Sequence, residues 1–318
     1  MAALGDPRNR ARVDKLLTSI SIRQNVEGLI CDSVLTSVNV KKDSGLIGRY
    51  DKSNLRIEHD IVGGQTPYPR VTVSTKDSVR YALERHGLSD VVTEEMKDNE
   101  EMPFDASKDV TMSLTDKLLL GKEIALATPL TDTAVITENQ TLSGTAQFND
   151  YNNSLPLEVF GVARESIYDN SGQVVEMNGG LAIVPWPVYN MLKFHPSLIE
   201  NIKHVVNMKA GLNFDQLASS MGVARILIPY GQYNSAAEGQ TPVMVPIWGK
   251  NILFAYSPPT GTKYMSTLGF RIQKRNSARV YINRLGNPPN ADEILVDSEY
   301  DFLLTDTGAA FLLKDVID

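Results

Sequence analysis

The sequence predicts an α+β fold, and three observations support that class. A stripe of apolar residues at i, i+4 spacing predicts one long helix between residues 105 and 127. Short strand-like and helix-like segments alternate through the middle of the chain and predict a compact α/β unit around a small sheet. After Pro258-Pro259, strand-like runs follow one another, separated by turn-rich stretches. A β-rich end after an α/β middle makes the chain α+β as a whole.

The long helix has recognisable boundary signals. Asp105 is a favourable N-cap residue. Gly121 should weaken the helix by about 1 kcal/mol relative to alanine, and Pro129 should stop it. The predicted apolar stripe consists of Ala106, Val110, Leu114, Leu118 and Ala125.

The remaining elements follow from the periodicity of apolar residues. Helices are predicted over residues 156–168, 187–194, 196–204 and 213–222. Strands are predicted over residues 181–184, 224–229, 243–248, 252–256, 268–274, 279–284, 293–304 and 309–315.

Residues 41–75 contain few apolar side chains and many turn formers, so this stretch cannot close a core alone. A loop of this length in a compact chain is usually either functional or disordered. Residues 70–75 alternate like a strand that returns from a hairpin. We therefore expect an exposed two-stranded arm, preceded over residues 13–40 by short helices or extended pieces that lie on other parts of the fold.

Length and composition limit the class of protein. A chain of 318 residues exceeds the usual size of a single core, so we expect two or three packed subregions. The hydrophobic share of 42% is typical of a folded globular protein. No apolar run approaches the roughly 18 residues of a membrane span, and Met1 to Arg12 lacks a secretory signal core. Cys31 has no cysteine to pair with and is expected to be a small buried hydrophobic residue.

The net charge of -7 disfavours tight binding to phosphate backbones and argues against a sequence-specific DNA-binding protein. The acidic stretch from Asp90 to Glu101 is interpreted as a solvated, mobile segment. The N-terminus is basic, and contact of that arm with a neighbouring subunit is left open. Its basic residues are Arg8, Arg10, Arg12 and Lys15.

Signatures of enzymes are missing from the sequence. It contains no GxGxxG, Walker, GxSxG or HExxH motif. The histidines are scattered and do not have metal-ligand spacing, so His195 and His204 are expected to be structural residues. Gly179-Gly180 precedes a strand and should form a turn. We therefore expect no catalytic residue, no cofactor and no metal ion.

A small hydrolase that uses His59 and Asp60 as an acid-base pair is the alternative from the enzyme class. Neighbouring residues on a strand point to opposite faces, which makes such a pair unfavourable.

Three consecutive segments resemble the major capsid proteins of tailed bacteriophages. LAIVPWPVYNMLKFHPSLIENIKHV (residues 181–205) is similar to the strand-helix-helix unit of that family. FDQLASSMGVARILIPYGQYNSAAEGQT (214–241) is similar to the helix, strand and AEGQT-like loop that follow, and VPIWGKNILFAYSPP (245–259) to the next apolar strand pair. Upstream, residues 17–51 resemble the N-terminal arm and 112–128 the spine helix, and residues 307–317 resemble the closing strand.

The resemblance implies the tailed-phage capsid fold, with parts that we place on the chain in order. We assign an N-terminal arm (1–40), an extended β-hairpin loop (41–78) and a peripheral domain with the spine helix at 105–127 (79–155). An axial α/β domain (156–262), further strands of the peripheral domain (263–306) and a closing strand (307–318) complete the assignment.

The resemblance also implies a function. Copies of the chain should assemble as hexamers and pentamers into an icosahedral shell around double-stranded DNA, in the host cytoplasm and then in the virion capsid. Portal, scaffolding or decoration proteins are the other expected partners, and no membrane is expected. Two related alternatives are an encapsulin-type cellular compartment and a tail or decoration protein. The expected inter-subunit contact residues in the extended loop are Lys41, Lys42, Arg49, Lys52, Arg56 and Arg70.

Overall fold

A computed structural model describes most of the chain, and all that follows refers to these residues. They are residues 12–13, 16–18, 21, 28–49, 57, 60–62, 68–70, 77–98, 105–202, 211–237, 239–260, 266–274, 278–286 and 290–318. The strands are β1 (Arg12–Val13), β2 (Thr36–Val40), β3 (Ser44–Arg49), β4 (Asp77–Ala82), β5 (Glu84–Thr93), β6 (Asn139–Thr141), β7 (Gly180–Ile183), β8 (Arg225–Leu227), β9 (Gln232–Asn234), β10 (Met244–Pro246), β11 (Ile252–Tyr256), β12 (Gly269–Lys274), β13 (Arg279–Leu285), β14 (Ala291–Leu304) and β15 (Ala310–Lys314). The α-helices are α1 (Cys31–Val34), α2 (Glu94–Asp98), α3 (Ala106–Leu130), α4 (Pro156–Ser171), α5 (Trp186–Leu192), α6 (Pro196–Ile202) and α7 (Phe214–Met221).

A five-stranded sheet has the strand order β6-β15-β11-β7-β8, and because three of its strands come from the predicted axial segment we call it the axial sheet. Its central strand β11 is buried along its whole length. Successive side chains of a strand point to opposite faces, and accordingly Phe254 joins one apolar core while Leu253 and Ala255 join another. A sheet covered on both faces explains why its strands are continuous apolar runs in the sequence. The strand predicted over residues 252–256 is confirmed.

The second large sheet is built around the 14-residue strand β14. One edge of β14 pairs with β5, and the other edge pairs first with β13 and then with β12. The parallel strand β2 extends the sheet beyond β12, and β1 lies beyond β13. We call this the long-stranded sheet.

Helix α3, the predicted spine helix, joins the two sheets. Its N-cap is Asp105, whose side chain accepts a hydrogen bond from the Lys108 amide at 3.3 Å, as predicted. Leu114 packs against the long-stranded sheet, whereas Leu126 and Leu130 lie in the core beneath the axial sheet.

Two details of the predicted helix are wrong. Pro129 lies inside the last turn and the helix continues to Leu130, because Thr131 still donates its amide to the Ala127 carbonyl at 3.0 Å. Ala125, placed in the apolar stripe, is exposed. The buried face changes along the helix because its two halves contact different sheets.

The acidic stretch is ordered over residues 90–98, so the interpretation as a mobile segment is wrong there. Asp90 belongs to β5, which pairs with β14 over ten residues, and Glu94 begins helix α2. The sequence did not predict β5, because nearly all of its side chains face solvent and it carries no apolar alternation.

The other predicted elements are present with shifts at their ends. Helix α4 extends to Ser171 instead of residue 168, and β8 is limited to Arg225–Leu227. The turn before β7 is also present: Gly179 has a φ of 123°. A Cβ on Gly180 would lie 1.7 Å from the Val175 carbonyl oxygen, so this turn requires glycine.

Within the described ranges, none of the helices combines the length and hydropathy needed to cross a bilayer.

Candidate assembly surfaces

The extended loop starts from a two-stranded ladder. Strands β3 and β4 pair antiparallel from Ser44 opposite Ala82 to Arg49 opposite Asp77. One face of the ladder packs onto the long-stranded sheet through Tyr81, which contacts the cluster of Phe270, Ile272 and Leu303. The described part of the returning strand is β4, Asp77–Ala82. The predicted return over residues 70–75 falls almost entirely outside the described residues.

Beyond the ladder, large apolar side chains point into solvent. The exposed fractions are 96% for Ile57, 77% for Ile61 and 83% for Tyr68. Single exposed apolar residues are common on protein surfaces, but three large apolar side chains exposed in this way on one poorly apolar loop are typical of an interaction segment. Fully burying one such side chain stabilises a contact by roughly 1.5–3 kcal/mol.

The predicted contact cations fall into three groups. Lys41 and Lys42 are exposed in the turn between β2 and β3, and Arg70 is exposed on the loop. Arg49 ends β3 opposite Asp77. Lys52 and Arg56 lie outside the described residues. The contact of these six cations with a neighbour stays a prediction.

A buried junction on the spine helix holds the chain that leads to the extended loop. Glu123 Oε2 accepts hydrogen bonds from the backbone amides of Ile30 at 3.0 Å and Cys31 at 2.6 Å. Its Oε1 accepts from the indole Nε1 of Trp248 at 2.6 Å. Burial raises the pKa of Glu123, while the hydrogen bonds from Trp248 and the two amides act in the opposite direction.

Beside Glu123, two buried cations share one carboxylate. Lys122 Nζ lies 2.6 Å from Asp32 Oδ1, and Arg271 of β12 donates to the same oxygen. Burial alone would raise the pKa of Asp32, but Lys122 and Arg271 together lower it. The Asp32 side chain keeps 58% of its surface exposed, so solvent screens this pairing. These three side chains link α1, which carries Asp32, to the spine helix through Lys122 and to the long-stranded sheet through Arg271.

Close backbone contacts complete the junction. The Gly28 carbonyl accepts hydrogen bonds from the amides of Tyr230 and Gly231 at 3.3 and 3.2 Å. A Cβ on Gly28 would lie 2.6 Å from the Tyr230 ring, and a Cβ on Gly231 would lie 2.8 Å from Leu29. We call the described part of residues 156–262 the axial unit. Residues 28–31 fit between the spine helix and this unit only because two glycines allow the approach.

The axial unit exposes an aromatic groove of about 430 Å³. Trp186, Phe214 and Tyr230 line it and are each about half exposed. The groove lies beside β8, at an edge of the axial sheet. The WP motif at residues 186–187, which carries part of the family resemblance, opens α5 next to this groove.

His195, which precedes Pro196 in the segment 181–205, is a buried structural residue as predicted. Its Nε2 lies 2.9 Å from Ser154 Oγ, and its Nδ1 lies 2.9 Å from Ser197 Oγ. Because Ser154 donates to the Asp150 carbonyl at 2.6 Å, it accepts from Nε2–H, and Nδ1 accepts from Ser197. Burial lowers the pKa of His195 and favours this neutral form.

Two residues considered for catalysis, Asp60 and Cys31, lie within the part of the chain that the structure describes. Asp60 is exposed, and His59 lies outside the described residues, so the structure does not test the alternative acid-base pair. Burial raises the pKa of Cys31 far above its usual range, which makes the thiol a poor nucleophile. The described residues contain no group of three His, Cys, Asp or Glu side chains that could hold a metal ion.

Sequence reasoning missed the Glu123 junction. The adjacent charges of Lys122 and Glu123 predict a solvated helix face, because charged residues are rarely buried. A signal was nevertheless available: both residues share a helix face with the apolar residues Leu126, Ala127 and Leu130, at i, i+3 and i, i+4 spacing.

Comparisons with known proteins identify relatives in sequence. No family model matches the chain. The chain is 24% identical over 272 residues to the major capsid protein of Burkholderia phage BcepMu, covering 83% of this chain and 84% of that protein. It is 23% identical over 248 residues to the major capsid protein of Pseudomonas phage JBD67, covering 77% of each.

Solved structures resemble the fold over nearly the whole chain. A phage-related protein from Bordetella bronchiseptica RB50 has a TM-score of 0.74 at 18% identity, covering 96% of this chain and 98% of that one. The capsid of Cyanophage P-SCSP1u has a TM-score of 0.58 at 10% identity, covering 90% and 88%. A virus-like particle from Pyrococcus furiosus has a TM-score of 0.54 at 10% identity, covering 94% and 96%.

Proposed function

We propose that copies of this chain form an icosahedral shell of hexamers and pentamers around double-stranded DNA. Two observations support a structural shell protein: the similarity in sequence to two phage major capsid proteins, and the tailed-phage capsid fold. The chain performs no catalysis in this role. Its location is the virion capsid, after assembly in the host cytoplasm. Portal, scaffolding or decoration proteins join the shell in the same proposal.

The observation that carries this proposal is the exposure of Ile57, Ile61 and Tyr68 on the extended loop. These side chains gain nothing from their own subunit, and a segment with so few apolar residues must obtain its order from a partner. A neighbouring copy provides the same receptor surface at every position of a symmetric shell. The loop therefore lies over an adjacent subunit and buries these residues there.

The distribution of charge supports two further parts of the proposal: exposed cations of the loop contact the neighbouring subunit, and the acidic protein binds the enclosed DNA weakly. Exposed lysines and arginines such as Lys41, Lys42 and Arg70 add about 0–1 kcal/mol each to a contact, which matters because every subunit repeats it. A net charge of -7 keeps the shell from holding DNA through many phosphate contacts, so packaging can proceed. Isolated subunits should bind double-stranded DNA weakly at physiological salt. Nanomolar affinity there would contradict this part of the proposal.

The test is particle formation by purified protein, observed by negative-stain microscopy and sedimentation. The wild-type chain should form uniform closed shells. A variant with Ile57, Ile61 and Tyr68 all changed to serine should fold with an unchanged melting temperature but lose most of its shells, because these residues contact only the neighbour.

The matched control keeps the apolar surface: Ile57→Val, Ile61→Val and Tyr68→Phe together should assemble like the wild type. Normal shells from the serine variant would show that the loop does not dock through these residues.

An encapsulin-type compartment is the second candidate, and the likeness of the fold to the Pyrococcus furiosus virus-like particle supports considering it. The sequence relatives favour the phage capsid, since both are phage major capsid proteins. Nuclease-resistant double-stranded DNA inside particles from the natural source supports the capsid, whereas enclosed enzyme cargo supports the compartment. A terminase or portal gene beside the coding sequence would also support the phage capsid.

A further inference from the structure

The chain reaches the extended loop only after passing the Glu123 junction. The N-terminal segment first lies along the spine helix, where Ser21 Oγ and Thr115 Oγ are 2.9 Å apart. Residues 28–31 then cross between the spine helix and the axial unit. Helix α1 and strand β2 follow directly, and β2 pairs in parallel with β12 before the loop begins at Lys41. The junction is therefore part of the last buried attachment to the spine helix before β2 and the loop, together with Val34 of α1 and the Asp32–Lys122 ion pair.

Glu123 uses both carboxylate oxygens in a pattern that few other side chains can supply. One oxygen accepts two consecutive backbone amides, and the other accepts the Trp248 indole N–H. A buried carboxylate is unfavourable unless it is hydrogen-bonded, and here each oxygen has a donor. Because the donors come from the N-terminal segment and from the axial unit, the carboxylate fixes both relative to the spine helix.

We propose that Glu123 is a positioning residue for shell assembly. Its hydrogen bonds to Ile30, Cys31 and Trp248 fix the position of the segment that leads through α1 and β2 into the extended loop. The loop is thereby directed toward the surface of a second copy of this chain, on which it docks. The inference rests on the proposed function, because it assumes that the loop docks on a neighbour. Glu123 itself is buried and touches no neighbour. It acts through α1 and β2.

The test replaces the Glu123 carboxylate, whose two oxygens both accept hydrogen bonds, by an amide with one accepting oxygen and one donating NH2 group. In Glu123→Gln the amide can present its oxygen to the backbone amides only by turning its NH2 group toward the Trp248 indole N–H, so two donors face each other. Trp248→Phe removes the opposing donor. The double variant Glu123→Gln/Trp248→Phe should therefore recover part of what the single Gln variant loses.

Two readouts separate positioning from general stability. In unassembled subunits, amide hydrogen exchange of a peptide spanning residues 28–35 should accelerate roughly tenfold or more in the Gln variant, as for a lost hydrogen bond to a charged group. Exchange in the buried strand β11 should stay unchanged. Shell yield should drop at least severalfold in the same variant and recover in part in the double variant. Asp109→Asn, an exposed carboxylate on the same helix, should match the wild type in both readouts.

Three outcomes would overturn the inference. They are wild-type shell yield from the Gln variant, unchanged exchange over residues 28–35, and equal loss in the single Gln and double variants. If the Glu123→Gln variant does not fold, the double variant is compared with Trp248→Phe alone. Equal shell yield and equal hydrogen exchange in these two variants would count against the role of the carboxylate. Failure of the wild-type chain to form shells would contradict the proposed function, and the exchange measurement would still decide whether Glu123 anchors the segment.

Discussion

His195 illustrates how single buried polar residues stabilise this fold. Its ring nitrogens pair with Ser154 and Ser197, and the ring is fully buried. Burial lowers its pKa below the ordinary 6.5, so the folded protein holds the neutral ring while an unfolded chain takes up a proton below that pH. The stabilisation is complete above pH 6.5. It is lost as the pH falls from 6.5 toward the lowered pKa.

The first prediction at this scale concerns that pH dependence. The free energy of unfolding of the wild-type subunit should fall between about pH 7.5 and about pH 5.5. His195→Gln should be less stable at the higher pH, because the buried hydrogen bonds change, but its stability should depend less on pH across this interval. Urea titrations at both pH values measure the difference. An equal slope in the two proteins would show that His195 does not carry the effect.

The second prediction concerns Gly121 in the spine helix. It is exposed, and nothing lies within 4 Å of a Cβ placed there. Gly121→Ala should therefore raise the free energy of unfolding of the subunit by up to about 1 kcal/mol. Ala125→Gly, also exposed on the same helix, should lower it by a similar amount. If both changes destabilise the isolated subunit, helix propensity is not what governs this face.

Residue by residue, the sequence predicts what depends on local chemistry. The Asp105 cap, the buried Cys31 and the structural His195 are all confirmed. The buried carboxylate of Glu123 was not predictable, because its partners Ile30 and Trp248 are 93 and 125 residues away in the chain. Only the tertiary fold supplies the donors that make its burial tolerable.

At the scale of elements, strands with buried side chains were predictable and the exposed strand was not. Strand β11 is an apolar run because both of its faces are covered. Strand β5 is held by ten backbone pairs with β14 while nearly all of its side chains stay in solvent, so it leaves no pattern in the sequence. The spine helix was predicted, but the change of its buried face was not, because that change depends on two separate sheets.

A prediction at this scale tests the role of β14 as the centre of its sheet. Ile294 is fully buried in the cluster beneath the spine helix, whereas Leu295 points to the other face and is half-buried. Ile294→Ala should destabilise the subunit by about 2–5 kcal/mol. Leu295→Ala should cost clearly less. Chemical denaturation of both variants distinguishes them, and a larger effect at Leu295 would contradict the assigned core.

At the scale of the whole molecule, the described features are suited to contact with another subunit. A ladder anchored on the long-stranded sheet carries a loop whose apolar side chains face solvent, and a buried junction holds the chain that leads into it. The sequence predicted an exposed arm, and the family resemblance implied that this arm contacts a neighbouring subunit, which stays a prediction. It could not predict which loop residues meet a neighbour, because the receptor surface belongs to another copy of the chain.

The most direct test of this account is a cryo-electron microscopy reconstruction of assembled particles at side-chain resolution. Closed shells are expected in which Ile57, Ile61 and Tyr68 are buried against an adjacent subunit. Shells in which these side chains remain in solvent, or fold back onto their own subunit, would contradict the account.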